Sequence, residues 1–255
     1  MASQPKYMVA GGGRWGTRMG AMLESEGRFG GYCPSVRRLS AESIEAYEAR
    51  MAEVFAATAA QVVWLCVPPG AHVPPLIRAI ISAGLHVMVE KPWTYSREET
   101  SSLSAIASAA NVSTAVHFEY CLLKQVEDWR REFRERADLR FGGVFEVSVA
   151  DRLGIPAVWN LGSHLLAIQE YAAPRSEISA IRCGYEVKDQ RRVWLEGGNG
   201  NAEIDFLGSK EPIIQRYLQR FEESLDGAAF PFDFAFAANV KEKVEAQGGL
   251  ESASK

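Results

Sequence analysis

A glycine-rich segment near the start of the chain has the residue types and spacing to hold a phosphate. Gly11-Gly12-Gly13-Arg14-Trp15-Gly16 matches G-x-G-x-x-G and lies between a strand-like and a helix-like segment. The first glycine of such a motif permits a tight turn, the second lets the backbone approach a pyrophosphate, and the third lets helix and strand pack closely. We therefore predict a dinucleotide site contacted by Gly11, Gly13, Arg14, Trp15 and Gly16.

The residues after the second strand-like segment indicate which dinucleotide binds. An NAD site places an acidic residue there to hold the ribose 2′-hydroxyl. This chain has no acidic residue between Glu26 and Glu42, and reads Cys33-Pro34-Ser35-Val36-Arg37-Arg38 instead. A hydroxyl followed by two guanidinium groups suits a 2′-phosphate. We predict NADP as the cofactor, with NAD as the alternative, bound through Ser35, Arg37 and Arg38.

Three further motifs occur in a fixed order after the glycines. They are Val67-Pro68-Pro69-Gly70-Ala71-His72, Val89-Glu90-Lys91-Pro92 and Trp159-Asn160-Leu161-Gly162-Ser163-His164. Together with the glycine motif they closely resemble the glucose-fructose oxidoreductase / inositol dehydrogenase / MocA (Gfo/Idh/MocA) family of oxidoreductases. That family has a proline-rich turn with His after its fourth strand, Glu-Lys-Pro after its fifth, and Asp-x-Gly-x-His or a variant in its second domain. The resemblance extends from Lys6 to about Ala246, and the chain resembles a short variant.

The resemblance implies a role for each motif residue. Lys91 would polarise the substrate oxygen beside the nicotinamide, and His164 would transfer the accompanying proton. Pro68 and His72 would contact the cofactor, and Glu90 its ribose. The substrate pocket would be bordered by Tyr120, Trp159, Asn160 and His164.

One motif residue departs from the family pattern. Asn160 stands where the family has the Asp that partners the histidine. A carboxylate raises the pKa of a neighbouring histidine, whereas an amide can orient the ring but cannot stabilise its charge. We therefore expect Asn160 to orient only, so that His164 or Lys91 acts alone. The shortness of the chain further indicates a changed substrate or a partner subunit that completes the site.

The elements that carry these motifs alternate between strand and helix in the first half of the chain. This pattern predicts an α/β fold, with an N-terminal Rossmann doubly wound parallel sheet over residues 1–121. Residues 39–61 contain no clear strand. The predicted strands are Lys6–Ala10, Phe29–Cys33, Val62–Val67, His86–Val89 and Val112–Phe118.

In the second half of the chain, predicted strands follow one another without intervening helices. This order predicts a C-terminal α+β domain over residues 122–255 for substrate binding and oligomerisation. A helix over about residues 122–137 and another from near Trp159 accompany an open, mainly antiparallel sheet. Its predicted strands are Val144–Ala150, Ile178–Val187, Arg191–Glu196 and Ala202–Leu207, the last two joined by the hairpin-type segment Gly197–Asn201.

The composition excludes several classes of partner. A net charge of −4 without clustered basic residues argues against nucleic acid, and no apolar run is long enough for a membrane. Four widely spaced cysteines indicate neither a disulfide framework nor zinc, so we expect a cytoplasmic protein without a metal. Apolar strand residues such as Val193 to Leu195 predict a homo-oligomer, a dimer or tetramer, acting on a small-molecule substrate.

Four activities are compatible with these motifs. The first is hydride transfer between NADP and a carbonyl carbon of a sugar, cyclitol or related biosynthetic intermediate, with reduction favoured. A variant is reduction of a C=N bond, which needs a proton donor but no strong base. The third is redox-neutral glycoside processing with a tightly bound NAD, and the last is a non-enzymatic cofactor-binding protein. The intact Glu90-Lys91-Pro92 and His164 count against the last.

Overall fold

The computed structural model describes residues 4–151, 154–197 and 200–251, and they form two compact units. The first unit contains the residues up to His117 together with Phe221–Ala238. The second contains Phe118–Arg220 together with the residues from Asn239 onward. The sequence pattern placed the division after residue 121 and did not predict that residues 221–238 return to the first unit.

Five parallel strands form the sheet of the first unit, as the alternating pattern predicts. In chain order they are β1 (Tyr7–Ala10), β2 (Phe29–Tyr32), β3 (Val62–Leu65), β4 (His86–Val89) and β5 (Thr114–Val116). Every residue of β1 and β3 is buried, because helices cover both faces of a parallel sheet and its central strands must be apolar throughout. The Rossmann fold predicted from the sequence is thereby confirmed.

Four helices connect these strands. They are α1 (Arg14–Ser25), α2 (Ile44–Ala56), α3 (Val73–Ser82) and α4 (Arg97–Ala109). The hydroxyl of Ser96 accepts a hydrogen bond from the Glu99 N–H and so caps the start of α4. Gly84 follows α3 with a φ of +72°, the left-handed conformation in which helices commonly end.

The strand order β2-β1-β3-β4-β5 determines where a ligand can bind. The chain leaves β1 for β2 on one side and then crosses to β3 on the other, so the order reverses between β1 and β3. Ligands of open α/β sheets bind outside the carboxyl ends of the strands at such a point. Residues 39–61 contain α2 and no strand, as predicted. The proline-rich turn and Glu-Lys-Pro therefore follow β3 and β4 of this chain.

The returning segment Phe221–Ala238 is anchored to the first unit by both backbone and side chains. The backbone N–H of Val116 in β5 donates to the Phe232 carbonyl at 2.8 Å, and the ring of Phe234 stacks on Trp93 at 4.5 Å. The buried Arg28 forms ion pairs with Glu26 and Glu222. A buried cation is tolerated only when paired in this way, so these contacts hold the segment in place.

The second unit contains a four-stranded mixed sheet. Its strands are β6 (Arg140–Glu146), β7 (Glu177–Gly184), β8 (Gln190–Gly197) and β9 (Gly200–Asp205), in the order β7-β6-β8-β9. The pair β6–β7 is parallel, whereas β6–β8 and β8–β9 are antiparallel. This confirms the predicted mainly antiparallel sheet. Within the predicted turn before β9, residues 198 and 199 lie outside the described residues.

The first strand of this sheet corrects one prediction. The pattern placed it at Val144–Ala150, but β6 begins at Arg140 and ends at Glu146. Gly142 and Gly143 precede the predicted strand, yet both lie inside β6. A Cβ at Gly142 would stand 2.2 Å from the indole of Trp194, and one at Gly143 would stand 3.2 Å from Leu165. Glycine is therefore needed where an aromatic ring and a helix approach the sheet.

Four helices belong wholly or partly to the second unit. They are α5 (Lys124–Phe133), α6 (Ser163–Ala172), α7 (Ile213–Leu225) and α8 (Phe234–Glu251). A 3₁₀ turn at Glu119–Leu122 precedes α5, so the predicted helix over residues 122–137 is shorter than expected. A π-helical turn at Val158–Gly162 leads into α6. Among the residues described, none of the helices combines the length and apolar character needed to cross a bilayer.

Candidate functional site

The glycine motif forms a turn whose geometry requires its glycines. Gly11 adopts a φ of +125°, and a Cβ there would stand 2.3 Å from the Cys66 carbonyl oxygen. A Cβ at Gly16 would stand 1.9 Å from the Gly11 carbonyl oxygen. These two glycines are needed for close packing between β1, β3 and α1.

Gly13 differs from its two partners in facing open space. It is exposed, it immediately precedes α1, and a Cβ there would meet nothing within 4 Å. Its lack of a side chain is therefore not explained by packing within the protein. A pyrophosphate approaching the N–H groups at the start of α1 would use this space, so the turn fits a dinucleotide.

The loop between β2 and α2 is held by a carboxylate that is fully engaged inside the protein. Arg50 Nε donates to Glu42 Oε1 at 2.7 Å and Arg50 Nη2 to Glu42 Oε2 at 2.9 Å. The Leu39 N–H donates to Glu42 Oε2 at 3.0 Å. The hydrogen bonds from Arg50 lower the pKa of Glu42 to about 2. Glu42 is therefore ionised, and its hydrogen bonds hold the loop to Arg50 of α2. We call this contact the Glu42–Arg50 clamp.

The three residues predicted to bind a 2′-phosphate lie together in that loop. Ser35, Arg37 and Arg38 are all exposed, and the Arg37 N–H donates to the Ser35 hydroxyl at 3.3 Å. The loop backbone is fixed from α2, where the Tyr47 hydroxyl donates to the Val36 carbonyl at 2.6 Å and Arg50 Nη2 to the Arg37 carbonyl at 3.1 Å. The loop therefore presents two cations on an anchored backbone.

The proline-rich turn after β3 brings His72 to the start of α3. Burial lowers the pKa of His72, so its imidazole is neutral near pH 7 and can form hydrogen bonds without contributing charge. The Tyr95 hydroxyl donates to the Gly70 carbonyl at 3.4 Å, and burial raises the pKa of Tyr95 to about 12. Pro68 is exposed in the same turn. This turn lies at the same sheet edge as the glycine motif.

The carboxylate of Glu90, at the carboxyl end of β4, is surrounded by aromatic nitrogen atoms. Its Oε1 accepts hydrogen bonds from Trp15 Nε1 at 2.5 Å and Trp64 Nε1 at 3.0 Å. His117 Nδ1 lies 3.0 Å from the same oxygen, and the imidazole is fully buried. Glu90 therefore joins the glycine turn, β3 and the end of β5 at one point.

Lys91 follows Glu90 directly, half-buried, and is joined to Pro92 by a cis peptide bond. The residues after it are fixed within the unit. Trp93 is buried, donates from Nε1 to the Thr100 hydroxyl at 2.9 Å, and meets the Tyr95 ring edge-on at 4.8 Å. The backbone that carries Lys91 is thus held on both sides.

The second unit groups aromatic rings around His164. The Tyr120 ring meets the His164 ring edge-on with centroids 4.7 Å apart, and the Phe145 ring stacks against His164 at 5.4 Å. Phe206 lies 5.1 Å from Tyr120. Arg191 Nη1 donates to the Tyr120 hydroxyl oxygen at 3.1 Å. His164 itself is buried in the first turn of α6. We define these five residues as the aromatic cluster.

Asn160 lies in the π-helical turn before α6. Single π-helical turns of this kind are often found at functional sites. Its amide nitrogen donates to the Tyr185 hydroxyl at 2.7 Å, and that hydroxyl donates to the Ile155 carbonyl at 3.3 Å. Burial raises the pKa of Tyr185. Trp159 is half-buried beside it. The amide of Asn160 thus anchors its own turn to the residue that follows β7.

Four residues that contact the predicted site residues were not identified from the sequence. The predicted residues up to Lys91 lie in the first unit, and Tyr120, Trp159, Asn160 and His164 lie in the second. The missed residues contact them directly: Trp64, His117, Arg191 and Tyr185. Of these, only His117 gave a signal, because it lies at the carboxyl end of the predicted strand Val112–Phe118. Within the described ranges no group of three or more acidic, Cys or His residues is arranged to bind a metal ion.

Residues 6–118 match the model of a protein family described as "Oxidoreductase family, NAD-binding Rossmann fold", the Gfo/Idh/MocA family. Over residues 6–118 this match confirms the resemblance inferred from the motifs and, with it, the class of NAD(P)-dependent oxidoreductases. None of the curated proteins matches the chain.

Solved structures of dehydrogenases share the fold of the whole chain. UDP-N-acetylglucosamine 3-dehydrogenase GnnA from Acidithiobacillus ferrooxidans is 14% identical with a TM-score of 0.76, covering 96% of each chain. The WlbA dehydrogenase from Bordetella pertussis, in complex with NADH and UDP-GlcNAcA, is 14% identical with a TM-score of 0.73, covering 96% of this chain and 95% of its own. An inositol dehydrogenase homolog from Azotobacter vinelandii, complexed with NADH and myo-inositol, is 16% identical with a TM-score of 0.67, covering 95% and 94%.

Proposed function

We propose that this chain, whose residues 6–118 belong to the NAD-binding oxidoreductase family, is an NADP-dependent reductase of a carbonyl group on a sugar, cyclitol or related intermediate. The observation that carries the proposal is the position of three motifs at one edge of the parallel sheet. The glycine turn follows β1, the proline-rich turn follows β3, and Glu90-Lys91 follows β4. Structures with the same fold are named as dehydrogenases of UDP-N-acetylglucosamine and as an inositol dehydrogenase homolog, which supports this substrate class.

The loop after β2 supports NADP over NAD. Glu42 is the first acidic residue after that strand, and both of its oxygens are engaged by Arg50 and the Leu39 backbone. It is therefore not free to hold a ribose 2′-hydroxyl. Arg37 and Arg38 are exposed on an anchored loop and would bind a 2′-phosphate through charge-assisted hydrogen bonds. An NADPH preference in turn favours reduction as the physiological direction.

The proposed chemistry divides between the two units. A bound nicotinamide supplies or accepts hydride. The ammonium of Lys91 would polarise the substrate oxygen and stabilise the alkoxide that develops on it. Gly11, Gly13 and Gly16 would hold the phosphates with Arg14 and Trp15, while Pro68, His72 and Glu90 would contact the rest of the cofactor. In the second unit His164 would handle the proton, with Tyr120, Trp159 and Asn160 beside the substrate.

Turnover with NADPH tests this proposal. NADPH oxidation would be followed with carbonyl forms of nucleotide sugars, hexoses and cyclitols. We expect Lys91→Ala and His164→Ala to lower kcat by roughly 10²–10⁴-fold while leaving NADPH affinity within a fewfold. Lys124→Ala, which removes an exposed lysine paired with Asp128, is the matched control. Full activity in both active-site variants would contradict the assignment.

A second candidate reaction is reduction of a C=N bond. The observation that favours it is the neutral side chain at position 160, whose amide is bound to Tyr185. Imine reduction needs a proton donor to nitrogen and no carboxylate-supported base. The same NADPH assay with imines separates the two reactions. A copurifying NAD that resists exchange would instead support redox-neutral glycoside processing, and binding without any turnover would support a non-enzymatic role.

A homo-oligomer is part of the proposal. One face of the second-unit sheet carries the buried Val193 and Leu195, and Gly143, which is paired with Val193, lies against Leu165 of α6. The opposite face carries Trp194 over Gly142, with the ion pair between Arg182 and Glu146 beside it. A sheet face that combines a partly exposed tryptophan with charged residues is suited to pairing with a second copy.

A further inference from the structure

We infer that the second unit binds an organic carboxylate through the guanidinium of Arg191. Every residue of this site lies within the second unit, since Arg191, Tyr120, Phe145 and Phe206 all fall between residues 118 and 220. The inference goes beyond the function proposed above, because binding at Arg191 requires no contact with a nicotinamide.

Arg191 lies on the apolar face of the second-unit sheet. Successive side chains of a strand point to opposite faces, so Arg191 shares a face with Val193 and Leu195, which are both buried. Its cross-strand partner in β6 is Phe145, and the Phe206 N–H donates to the Arg191 carbonyl at 2.9 Å. The guanidinium is therefore placed among apolar side chains, where a charge is costly unless another group compensates it.

The second unit uses only part of the hydrogen-bonding capacity of this guanidinium. Its Nη1 donates to the Tyr120 hydroxyl oxygen at 3.1 Å, and its central carbon lies 5.0 Å from the Phe145 ring centroid. Arg191 Nε is enclosed by protein, yet it has no hydrogen-bond acceptor among the residues that the structure describes. A guanidinium carries five N–H donors, so the edge that Nε shares with Nη2 is left for an acceptor from outside the chain.

The neighbouring carboxylates do not neutralise Arg191. Asp189 lies two residues earlier, but its carboxylate accepts from the Ser148 N–H at 2.5 Å, and that hydrogen bond is the main reason why the pKa of Asp189 is lowered. Arg192, on the opposite face of the sheet, has its own ion pair with Glu203 at 3.4 Å. Within residues 4–151, 154–197 and 200–251, no carboxylate forms an ion pair with Arg191. The charge of Arg191 is therefore available to an anionic ligand.

Exposure within the aromatic cluster shows which of its groups a ligand would meet. Phe145, Phe206 and His164 are buried, whereas Arg191 and Tyr120 are half-buried. Solvent, and hence a dissolved ligand, reaches part of the guanidinium and part of the phenol ring. A ligand at this position therefore meets one cation beside one aromatic ring.

The unmet donors and the single charge select the chemistry of this ligand. A carboxylate has one negative charge and two oxygen atoms that accept together from two N–H groups of one guanidinium. Arg191 supplies one permanent positive charge, which a monoanion balances and a phosphate dianion would exceed. The ring of Tyr120 offers apolar surface to the carbon skeleton that carries the carboxylate. These features favour an organic carboxylate such as a sugar acid.

The Nε–H signal of Arg191 in NMR spectra tests the contact directly. The full chain would be labelled with ¹⁵N and titrated, without cofactor, with sodium glucuronate and separately with sodium acetate. The signal is assigned by its loss in Arg191→Lys. We expect both carboxylates to shift it saturably downfield, because a charge-assisted hydrogen bond forms, and sodium chloride at equal ionic strength to leave it in place. A signal that responds to neither carboxylate, or equally to chloride, would overturn the inference.

Calorimetric titration measures how far the affinity depends on the charge of Arg191. We expect Arg191→Gln to weaken glucuronate binding by roughly 10–100-fold, since hydrogen bonds to a charged group are lost. Arg191→Lys, which keeps the charge but not the two-pronged geometry, should restore part of the affinity. Arg192→Gln is the matched control and should change it by less than about twofold, because it alters a part-exposed ion pair on the opposite face. Full glucuronate affinity in Arg191→Gln would overturn the inference.

Two further ligands define the site on the wild-type protein, so the test does not depend on the folding of a variant. Glucuronamide has the size of glucuronate without its charge, and we expect it to bind at least about tenfold more weakly. Equal affinity for the two would overturn the inference. Glucose 6-phosphate should also bind more weakly than glucuronate, and tighter binding would overturn the choice of a carboxylate. Because no cofactor is present, failure here leaves the proposed reductase function intact, and an absence of NADPH turnover leaves the carboxylate site intact.

Discussion

The indole N–H of Trp15 donates to the carboxylate of Glu90 at 2.5 Å, across a separation of 75 residues. Trp15 lies inside the glycine motif, and Glu90 directly precedes Lys91. The turn proposed to hold the cofactor phosphates and the residue proposed to polarise the substrate are therefore connected through one hydrogen bond. A substitution at Glu90 should therefore affect both the glycine turn and Lys91.

Replacing Glu90 with Gln tests this connection. The amide keeps the size of the side chain but loses the charge that accepts from Trp15 and Trp64 and contacts His117. We expect the free energy of unfolding to fall by about 1–3 kcal/mol and NADPH affinity to weaken. Chemical denaturation and fluorescence titration measure the two effects. Glu24→Gln, at an exposed position of α1, should change neither. Unaltered stability and affinity in Glu90→Gln would show that the hydrogen bonds to the Glu90 carboxylate are dispensable.

Two glycines of the same motif should respond differently to alanine. Gly16→Ala places a Cβ 1.9 Å from the Gly11 carbonyl oxygen, so we expect a loss of about 3 kcal/mol in unfolding free energy. Gly13→Ala meets no protein atom within 4 Å and should leave stability within about 0.5 kcal/mol. Its methyl group should still weaken NADPH binding by roughly tenfold or more, because it occupies the pyrophosphate approach. Equal NADPH affinity in Gly13→Ala would place the phosphates elsewhere.

The cofactor preference should depend on Arg37 and Arg38. We expect wild-type protein to bind NADPH more tightly than NADH, and the double change Arg37→Ala with Arg38→Ala to remove most of that difference. Each lost arginine–phosphate contact should cost about 1–3 kcal/mol. Arg131→Ala with Arg134→Ala alters the net charge equally on exposed residues of the second unit and serves as the control. Tighter NADH binding by the wild type would contradict the assignment of NADP.

The Glu42–Arg50 clamp should make the free energy of unfolding depend on pH within a defined acidic range. The pKa of Glu42 is lowered from 4.5 to about 2 in the folded protein, so its ionised form is favoured by folding. Its contribution is present above pH 4.5 and is lost as pH falls toward about 2. The difference in unfolding free energy between wild type and Glu42→Gln should therefore shrink over that range. Glu53→Gln, at an exposed position of α2, should show no such trend.

Light scattering should report a dimer or tetramer at micromolar concentration. Ala180 is exposed beside Gly142 on the sheet face proposed for pairing. We expect Ala180→Arg to shift the population toward monomer, because a buried unpaired cation is costly at an interface. Ala137→Arg, exposed elsewhere in the second unit, should leave the assembly unchanged. A monomeric wild type would exclude the proposed oligomer.

The sequence predicted best those features that depend on local pattern. The strands β1, β3 and β4 and the glycine turn each follow from short runs of residues. The sequence did not predict features that depend on contacts between residues far apart in the chain. Gly142 lies within a strand because Trp194, far along the chain, packs over it. The contacts of Arg191 with Tyr120 and of Asn160 with Tyr185 likewise join separate elements, so spacing alone could not identify them.

The return of residues 221–238 to the first unit has a consequence for how the protein is made. During synthesis the N-terminal sheet emerges from the ribosome long before the segment that carries Glu222 and Phe232. Until then Arg28 lacks one of its two carboxylates, and β5 lacks its backbone acceptor. The nascent Rossmann sheet therefore cannot reach its final state as it is translated, and must wait for nearly the whole chain.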